Sequence, residues 1–207
     1  MRCVVVLVLG LAGCNSDGTA SPPSGSPEKT TKLGGVPPER FDCATIAPQV
    51  DLDQVLGATA RKLDSPASVP DGLAKPCTYE VGSQPPEYWT FDFDCRASMK
   101  RTADALFAQY KRTSAELVEQ YNGASDAGIK PDDAGITNRR APELAVEVPV
   151  GAKGLDHHGQ GLIFIDDDAP CYVRIVGPDA PRRLELAKLI AKNLTFANAP
   201  MSPRARP

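Results

Sequence analysis

Hydrophobic and polar residues alternate along residues 88–95, and this pattern predicts a strand. The apolar positions are Trp89, Phe91, Phe93 and Cys95, separated by Thr90, Asp92 and Asp94. A period of two is typical of a strand in an antiparallel sheet that has one buried face. We expect the aromatic side chains to lie in the core, with a pocket lining as the alternative, and Asp92 and Asp94 to form the solvated face. A catalytic carboxylate pair is the alternative for the two aspartates.

Helical spacing of apolar residues predicts two long helices. In residues 98–121 the stripe comprises Met99, Ala103, Leu106, Tyr110, Leu117 and Tyr121, and the stop signal is Asn122-Gly123. A final helix follows Pro178-Asp179, with Leu186, Leu189, Ile190 and Leu194 as its buried side. Residues 51–57 form a short helix with an acidic beginning and Gly57 at its end.

Further strands are predicted at residues 79–81, 144–150, 161–165 and 171–176, the second at an edge because it contains Pro149. The last two form a hairpin around Asp166-Asp167-Asp168. A strand pair followed by a helix thus occurs at about 77–121 and again at about 161–194. We expect an α+β fold in which an antiparallel sheet packs against two main helices, with this hairpin-helix layout occurring twice.

The N-terminal pattern predicts an export signal. Arg2 precedes an apolar run of about ten residues, too short for a transmembrane helix of roughly twenty. The junction Leu11-Ala12-Gly13-Cys14 resembles the bacterial lipobox, which implies cleavage before Cys14 and lipidation of its thiol. An ordinary thiol near a standard cleavage site is the alternative. We therefore expect anchoring to the cell membrane or outer membrane, on the extracytoplasmic side, through several acyl chains.

Composition divides the chain into four segments. Residues 1–13 are the predicted signal peptide, and residues 14–40, rich in Ser, Pro and Gly, are the lipidated cysteine with a flexible tether. Residues 41–198 are a single domain, and residues 199–207 are a loose tail. Removing Arg2 with the signal leaves 22 of the 23 basic residues against 26 acidic ones, a net charge of -4. This mildly acidic chain has no basic block, so nucleic acid is not an expected partner.

Two cysteines and a short helix carry a second resemblance. Cys43 precedes the helix ending in Val55-Leu56-Gly57, and Pro76-Cys77-Thr78-Tyr79 follows it. This order, over roughly residues 41–194, resembles small actinobacterial lipoproteins of unknown function. It is similar in layout to mycobacterial envelope lipoproteins and to the extracellular sensor domains of some mycobacterial kinases. The resemblance implies a binding or sensing fold without catalytic residues to transfer.

Four cysteines remain after removal of Cys3 and lipidation of Cys14, and in an oxidising compartment an even number predicts disulfides. Three pairings are open, with free thiols or a zinc site as alternatives. We predict Cys43–Cys77, which flank the short helix within the region of resemblance. The second predicted pair, Cys95–Cys171, joins the end of one strand to the start of another.

Candidate chemistry is sparse. Asp156, His157 and His158 lie in a Gly-rich segment and are candidate metal ligands, although an exposed loop without metal is the favoured interpretation. The triplet Asp166-Asp167-Asp168 favours a turn over a calcium site. No catalytic set is recognisable, and we expect no cofactor. The expected function is a noncatalytic binding or sensing module for an envelope ligand or protein partner, with an envelope hydrolase as the alternative.

Overall fold

A computed structural model describes residues 33–64, 68–126, 142–157 and 160–204, all within the compact unit Thr31–Pro207. Two short 3-10 turns, Pro38–Arg40 and Cys43–Thr45, precede the main elements. The helices are α1 (Gln49–Leu56), α2 (Met99–Asp126) and α3 (Ala180–Asn193). The strands are β1 (Ala60–Leu63), β2 (Cys77–Val81), β3 (Glu87–Asp94), β4 (Val146–Val148), β5 (Lys153–His157), β6 (Gly161–Ile165) and β7 (Tyr172–Val176).

The strands form one antiparallel sheet in the order β1-β2-β3-β7-β6-β5-β4, which confirms the α+β class. Strands β3 and β7 lie side by side at the centre, where Asp92 is opposite Arg174. The hairpin β2–β3 leads into α2, and the hairpin β6–β7 leads into α3. Strand β4 lies at the edge, as Pro149 predicts.

One face of the sheet is covered by α1 and α3. The side chains of Trp89, Phe91 and Phe93 are at most 3% exposed and pack there with Leu186 and Ile190 of α3. The period of two in β3 therefore correctly predicted core positions for its aromatic residues, and Phe93 also borders a cavity. This face holds the larger of the two core clusters.

Helix α2 covers part of the opposite face. Its Phe107 is buried against Leu155 of β5, Ile163 of β6 and Tyr172 of β7. The helix continues through Asn122-Gly123, where a stop was predicted. A glycine in a helix interior costs only about 1 kcal/mol, which a helix of 28 residues tolerates. The predicted stripe also omitted Phe107, which is only 1% exposed.

Strand β5 corrects the prediction of an exposed Gly-rich loop at residues 151–161. Gly154 belongs to this strand, and a Cβ there would lie 2.7 Å from the carbonyl oxygen of Val148 on β4. Glycine is therefore needed for close strand approach, although glycine is usually typical of loops. Strand β1 was also not predicted.

Both predicted disulfides are present. Cys43–Cys77 connects the second 3-10 turn to β2, and Cys95–Cys171 connects the end of β3 to the start of β7. All four cysteines are buried, with no side chain more than 5% exposed. The alternatives of free thiols and zinc ligation do not apply to these residues.

The two ends of the domain pair with each other. Gly34 and Arg204 exchange backbone hydrogen bonds of 2.8 and 2.9 Å, and Met201 donates its N–H to the carbonyl of Val36 at 3.0 Å. Met201 is buried. Residues 33–40 of the predicted tether and 199–204 of the predicted loose tail are therefore part of the domain. Residues 1–13 and Cys14 lie outside the described residues.

Candidate functional site

A cavity lies between the first turns of α2 and the loop that joins β6 to β7. Its volume is about 540 Å³. Met99 and Ala103 of α2 line one side, and Tyr172 and Phe196 contribute aromatic rings. The acidic triplet Asp166–Asp168 lines the remaining wall together with small residues such as Ala152. The cavity therefore combines an apolar interior with a concentrated negative charge.

The carboxylate of Asp166 organises the β6–β7 loop. Its Oδ2 accepts hydrogen bonds from the backbone N–H of Asp168 at 3.0 Å and of Ala169 at 2.6 Å. These bonds are those of an Asx-type turn, which supports the turn interpretation of the triplet. Asp166 is only 4% exposed, and its Oδ1 is buried without a hydrogen-bond partner in the described structure.

Burial raises the pKa of Asp166 to about 6, and the neighbouring charges of Asp167 and Asp168 add to the rise. The two backbone N–H groups act in the opposite direction because they stabilise the ionised form. The carboxyl is thus mainly ionised at pH 7, but its ionised form is less stable, relative to the protonated form, than that of an exposed aspartate.

Asp168 connects the same loop to the C-terminal segment. Its Oδ2 accepts a hydrogen bond from the backbone N–H of Phe196 at 2.8 Å. This bond fixes the segment that brings the Phe196 ring to the cavity. In the described part of the chain, no three His, Cys, Asp or Glu side chains are grouped to hold a metal ion.

A second cavity of about 350 Å³ lies beside the first, and Met99 and Tyr172 line both. Tyr110 of α2 also lines the second cavity, and burial together with a hydrogen bond to Tyr110 raises the pKa of Tyr172. Both cavities lie beside α2 because this helix covers the sheet incompletely.

Asp92 and Asp94 do not form a carboxylate pair. Arg174 of β7 donates to Asp92 at 2.9 and 3.1 Å, and Arg96 donates to Asp94 at 2.6 and 2.9 Å. Burial raises the pKa of Asp92, while Arg174 opposes the rise. Each carboxylate has its own cation, so the expected solvated face of β3 is in fact a set of ion pairs.

The candidate metal ligands Asp156 and His157 do not meet. They are consecutive residues of β5, so their side chains point to opposite faces of the sheet. Asp156 binds the guanidinium of Arg183 on α3 through two hydrogen bonds of 2.8 Å. His157 is only 4% exposed, which corrects the expectation of an exposed loop. His158 lies outside the described residues.

Arg183 is a structural residue that the sequence did not reveal. It is 1% exposed, and besides Asp156 it donates to the carbonyl of Gly177 at 2.7 Å. Its partner lies 27 residues earlier in the chain, and no local pattern indicates such a pair. The cavity residues Met99, Tyr172 and Phe196 were likewise not assigned to a site, because only the tertiary fold brings them together.

Comparison with known proteins gives no family assignment. No protein-family model, curated protein or solved structure matches this chain. Among the described residues, no helix has both the length and the apolar composition needed to cross a bilayer.

Proposed function

We propose that this chain is a bacterial lipoprotein whose domain is a noncatalytic binding module for a ligand of the cell envelope. In this proposal residues 1–13 are removed, Cys14 carries the lipid, and the domain lies on the extracytoplasmic side of the cell membrane or outer membrane. The Leu11-Ala12-Gly13-Cys14 junction after a short apolar run supports the anchor. The two disulfides fit an oxidising compartment.

The cavity beside α2 is the observation that carries the binding function. A volume of about 540 Å³ lies within the usual range for small-molecule sites, roughly 300–1,000 Å³. Its lining is mainly apolar, with a few carboxylates to orient a ligand. No nucleophile, base and oxyanion donor converge among its described lining residues, which favours binding over hydrolysis.

Native mass spectrometry of the protein purified from its own host tests the binding function. We expect a retained mass that is lost in Ala152→Trp, since Ala152 is an exposed cavity residue whose enlargement fills the site. The matched control is Ala58→Trp, which alters an exposed alanine outside this cavity. Saturable turnover of an ester, glycoside, phosphoester or peptide would instead place the protein among the hydrolases.

The anchor has its own test. Cys14→Ala, expressed as the full chain, should leave an unprocessed or soluble form, whereas the unaltered chain should fractionate with membranes and carry acyl groups by mass spectrometry. An unmodified Cys14 thiol in the purified native protein would contradict the lipoprotein assignment.

A further inference from the structure

We propose that the cavity takes an amphiphile whose positively charged ammonium group lies at the Asp166–Asp168 wall and whose apolar tail packs beside α2. This inference rests on the proposed binding function and specifies the ligand class. The cavity wall supplies the charge preference, and the lining from α2 supplies the apolar surface.

The charge preference follows from the residue types that line the cavity. Asp166, Asp167 and Asp168 all line the cavity, and none of its described lining residues is Lys, Arg or His. Asp166 is 4% exposed, and its Oδ1 has no hydrogen-bond partner in the described structure. A buried carboxylate with an unsatisfied oxygen is stabilised by a nearby cation or hydrogen-bond donor. The Asp166 Oδ1 has almost no accessible surface, so an ammonium group in the cavity would stabilise this carboxylate through its charge rather than through a hydrogen bond.

The rest of the lining favours an organic cation over a metal ion. Tyr172 and Phe196 are among the residues that line the same cavity, and aromatic side chains attract ammonium groups through their ring faces. Met99 and Ala103 provide a surface suited to alkyl carbons. A calcium ion requires six to eight oxygen ligands, whereas the described residues contain no group of three metal-ligating side chains.

Isothermal titration calorimetry with three probes of equal chain length tests the inference. The probes are octyltrimethylammonium, octanol and octyl sulfate, each below its micelle concentration. The protein is the chain of residues 14–207 carrying Cys14→Ser, which includes the whole compact unit and needs no detergent. We expect octyltrimethylammonium to bind about tenfold more tightly than octyl sulfate.

Variants of the aspartates test whether the preference for an ammonium group comes from the cavity wall. Asp167→Asn removes an exposed charge from the wall and should weaken octyltrimethylammonium binding about two- to threefold, and Asp166→Asn about fivefold. Octanol affinity should change little in either variant. Asp71→Asn removes an exposed aspartate elsewhere and is the control for the overall acidity of the protein. Circular dichroism establishes that each variant is folded.

The outcomes separate this inference from the proposed function. Equal affinities for the three probes, abolished by Ala152→Trp, would overturn the ammonium preference while leaving a binding cavity. An equal loss in Asp71→Asn and Asp167→Asn would overturn it as well. Calcium binding that depends on Asp167 would overturn the inference, because the site would then take a metal ion instead of an organic cation. The absence of binding by all three probes would overturn the proposed ligand class. Native mass spectrometry of the protein from its own host would still test the binding function independently.

Discussion

At the scale of single residues, Arg183 determines how α3 attaches to the sheet. Its guanidinium is fully enclosed and binds the Asp156 carboxylate through two hydrogen bonds, with a third to the carbonyl of Gly177. The pair joins the final helix to β5, the strand next to the edge strand β4. A buried ion pair of this kind is costly to break because the remaining charge stays desolvated.

Replacing Arg183 alone should therefore be strongly destabilising. We expect Arg183→Met to lower the free energy of unfolding by about 3–5 kcal/mol, measured by urea denaturation. Lys188→Met on the same helix is the control, since Lys188 is exposed and pairs only with Glu185, and it should change stability by less than about 0.5 kcal/mol. The double variant Arg183→Met with Asp156→Leu should regain part of the loss. A similar effect for Arg183→Met and Lys188→Met would contradict this role.

Asp166 should impose a pH dependence on stability. Burial raises the pKa of this carboxyl to about 6 in the native state, above the ordinary value of 3.8. Between these pH values the native state keeps a proton that the unfolded chain has lost, so the contribution to stability falls as pH rises from about 4 to about 6. Asp166→Asn cannot ionise and should remove this fall.

Comparing denaturation curves of the parent protein and Asp166→Asn at pH 4 and pH 7 isolates the effect. The stability difference between the two proteins should shift by roughly 1–3 kcal/mol in favour of the variant at pH 7. Other carboxyls that titrate in this range contribute equally to both proteins and cancel. A difference that stays constant with pH would show that Asp166 titrates like an exposed aspartate.

The sequence predicted residues correctly where one element determines their environment. The alternation in β3 was sufficient to place Trp89 and Phe91 in the core. The sequence did not predict the burial of His157, because the glycines around β5 are typical of a loop. It also did not predict the role of Arg183, because its carboxylate partner lies on a different element. The cavity could not be predicted either, since Met99, Tyr172 and Phe196 share no local pattern.

At the scale of elements, glycine has opposite effects on stability in β5 and in α2. A Cβ on Gly154 would lie 2.6 Å from Val150 Cγ1 and 2.7 Å from the Val148 carbonyl oxygen. A Cβ on Gly123, within α2, would meet no atom of another described element within 4 Å. The first glycine is required by packing, whereas the second only weakens a helix. The sequence assigned both to non-regular structure, because glycine is common in loops and at helix ends.

The same substitution should therefore act in opposite directions at the two positions. Gly154→Ala should lower the free energy of unfolding by about 1–3 kcal/mol, because strands β4 and β5 must move apart. Gly123→Ala should raise it, or the local helix stability, by about 0.5–1 kcal/mol. Urea denaturation measures the first effect, and hydrogen exchange along α2 measures the second. A neutral Gly154→Ala would mean that the β4 edge is not packed as described.

At the scale of the whole molecule, each half of the sheet contains one of the two hairpins, β2–β3 in the first half and β6–β7 in the second. Strands β3 and β7 meet at the centre, and the helices that follow them pack on opposite faces, α2 with the smaller core cluster and α3 with the larger one. Because α2 covers its face of the sheet incompletely, cavities remain on that face. The site is thus a consequence of how the two halves are arranged. The sequence predicted the two hairpins and the helices that follow them, but it missed β1 and β5 and did not predict the faces on which the helices pack.

The two disulfides close loops of different lengths and should therefore stabilise the domain to different extents. Cys43–Cys77 spans 34 residues before the sheet centre, whereas Cys95–Cys171 spans 76 residues and joins β3 to β7. On the loop-entropy model each contributes about 3–5 kcal/mol, with the longer loop contributing roughly 0.5–1 kcal/mol more. We therefore expect Cys95→Ala with Cys171→Ala to destabilise the domain more than Cys43→Ala with Cys77→Ala, by urea denaturation under nonreducing conditions.

Nonreducing peptide mapping must accompany that comparison, and the choice of protease matters. No Lys or Arg lies between Cys77 and Cys95, so trypsin leaves both in one peptide and cannot distinguish the observed pairing from Cys43–Cys95 with Cys77–Cys171. A protease that cleaves after glutamate separates them at Glu80 and Glu87. The expected products are a Cys43–Cys77 peptide and a Cys95–Cys171 peptide. The first product carries an internal disulfide, because no glutamate lies between Cys43 and Cys77. A link from this peptide to the one that contains Cys95 would contradict the fold as well as the pairing, since Cys95–Cys171 lies where the two halves of the sheet join.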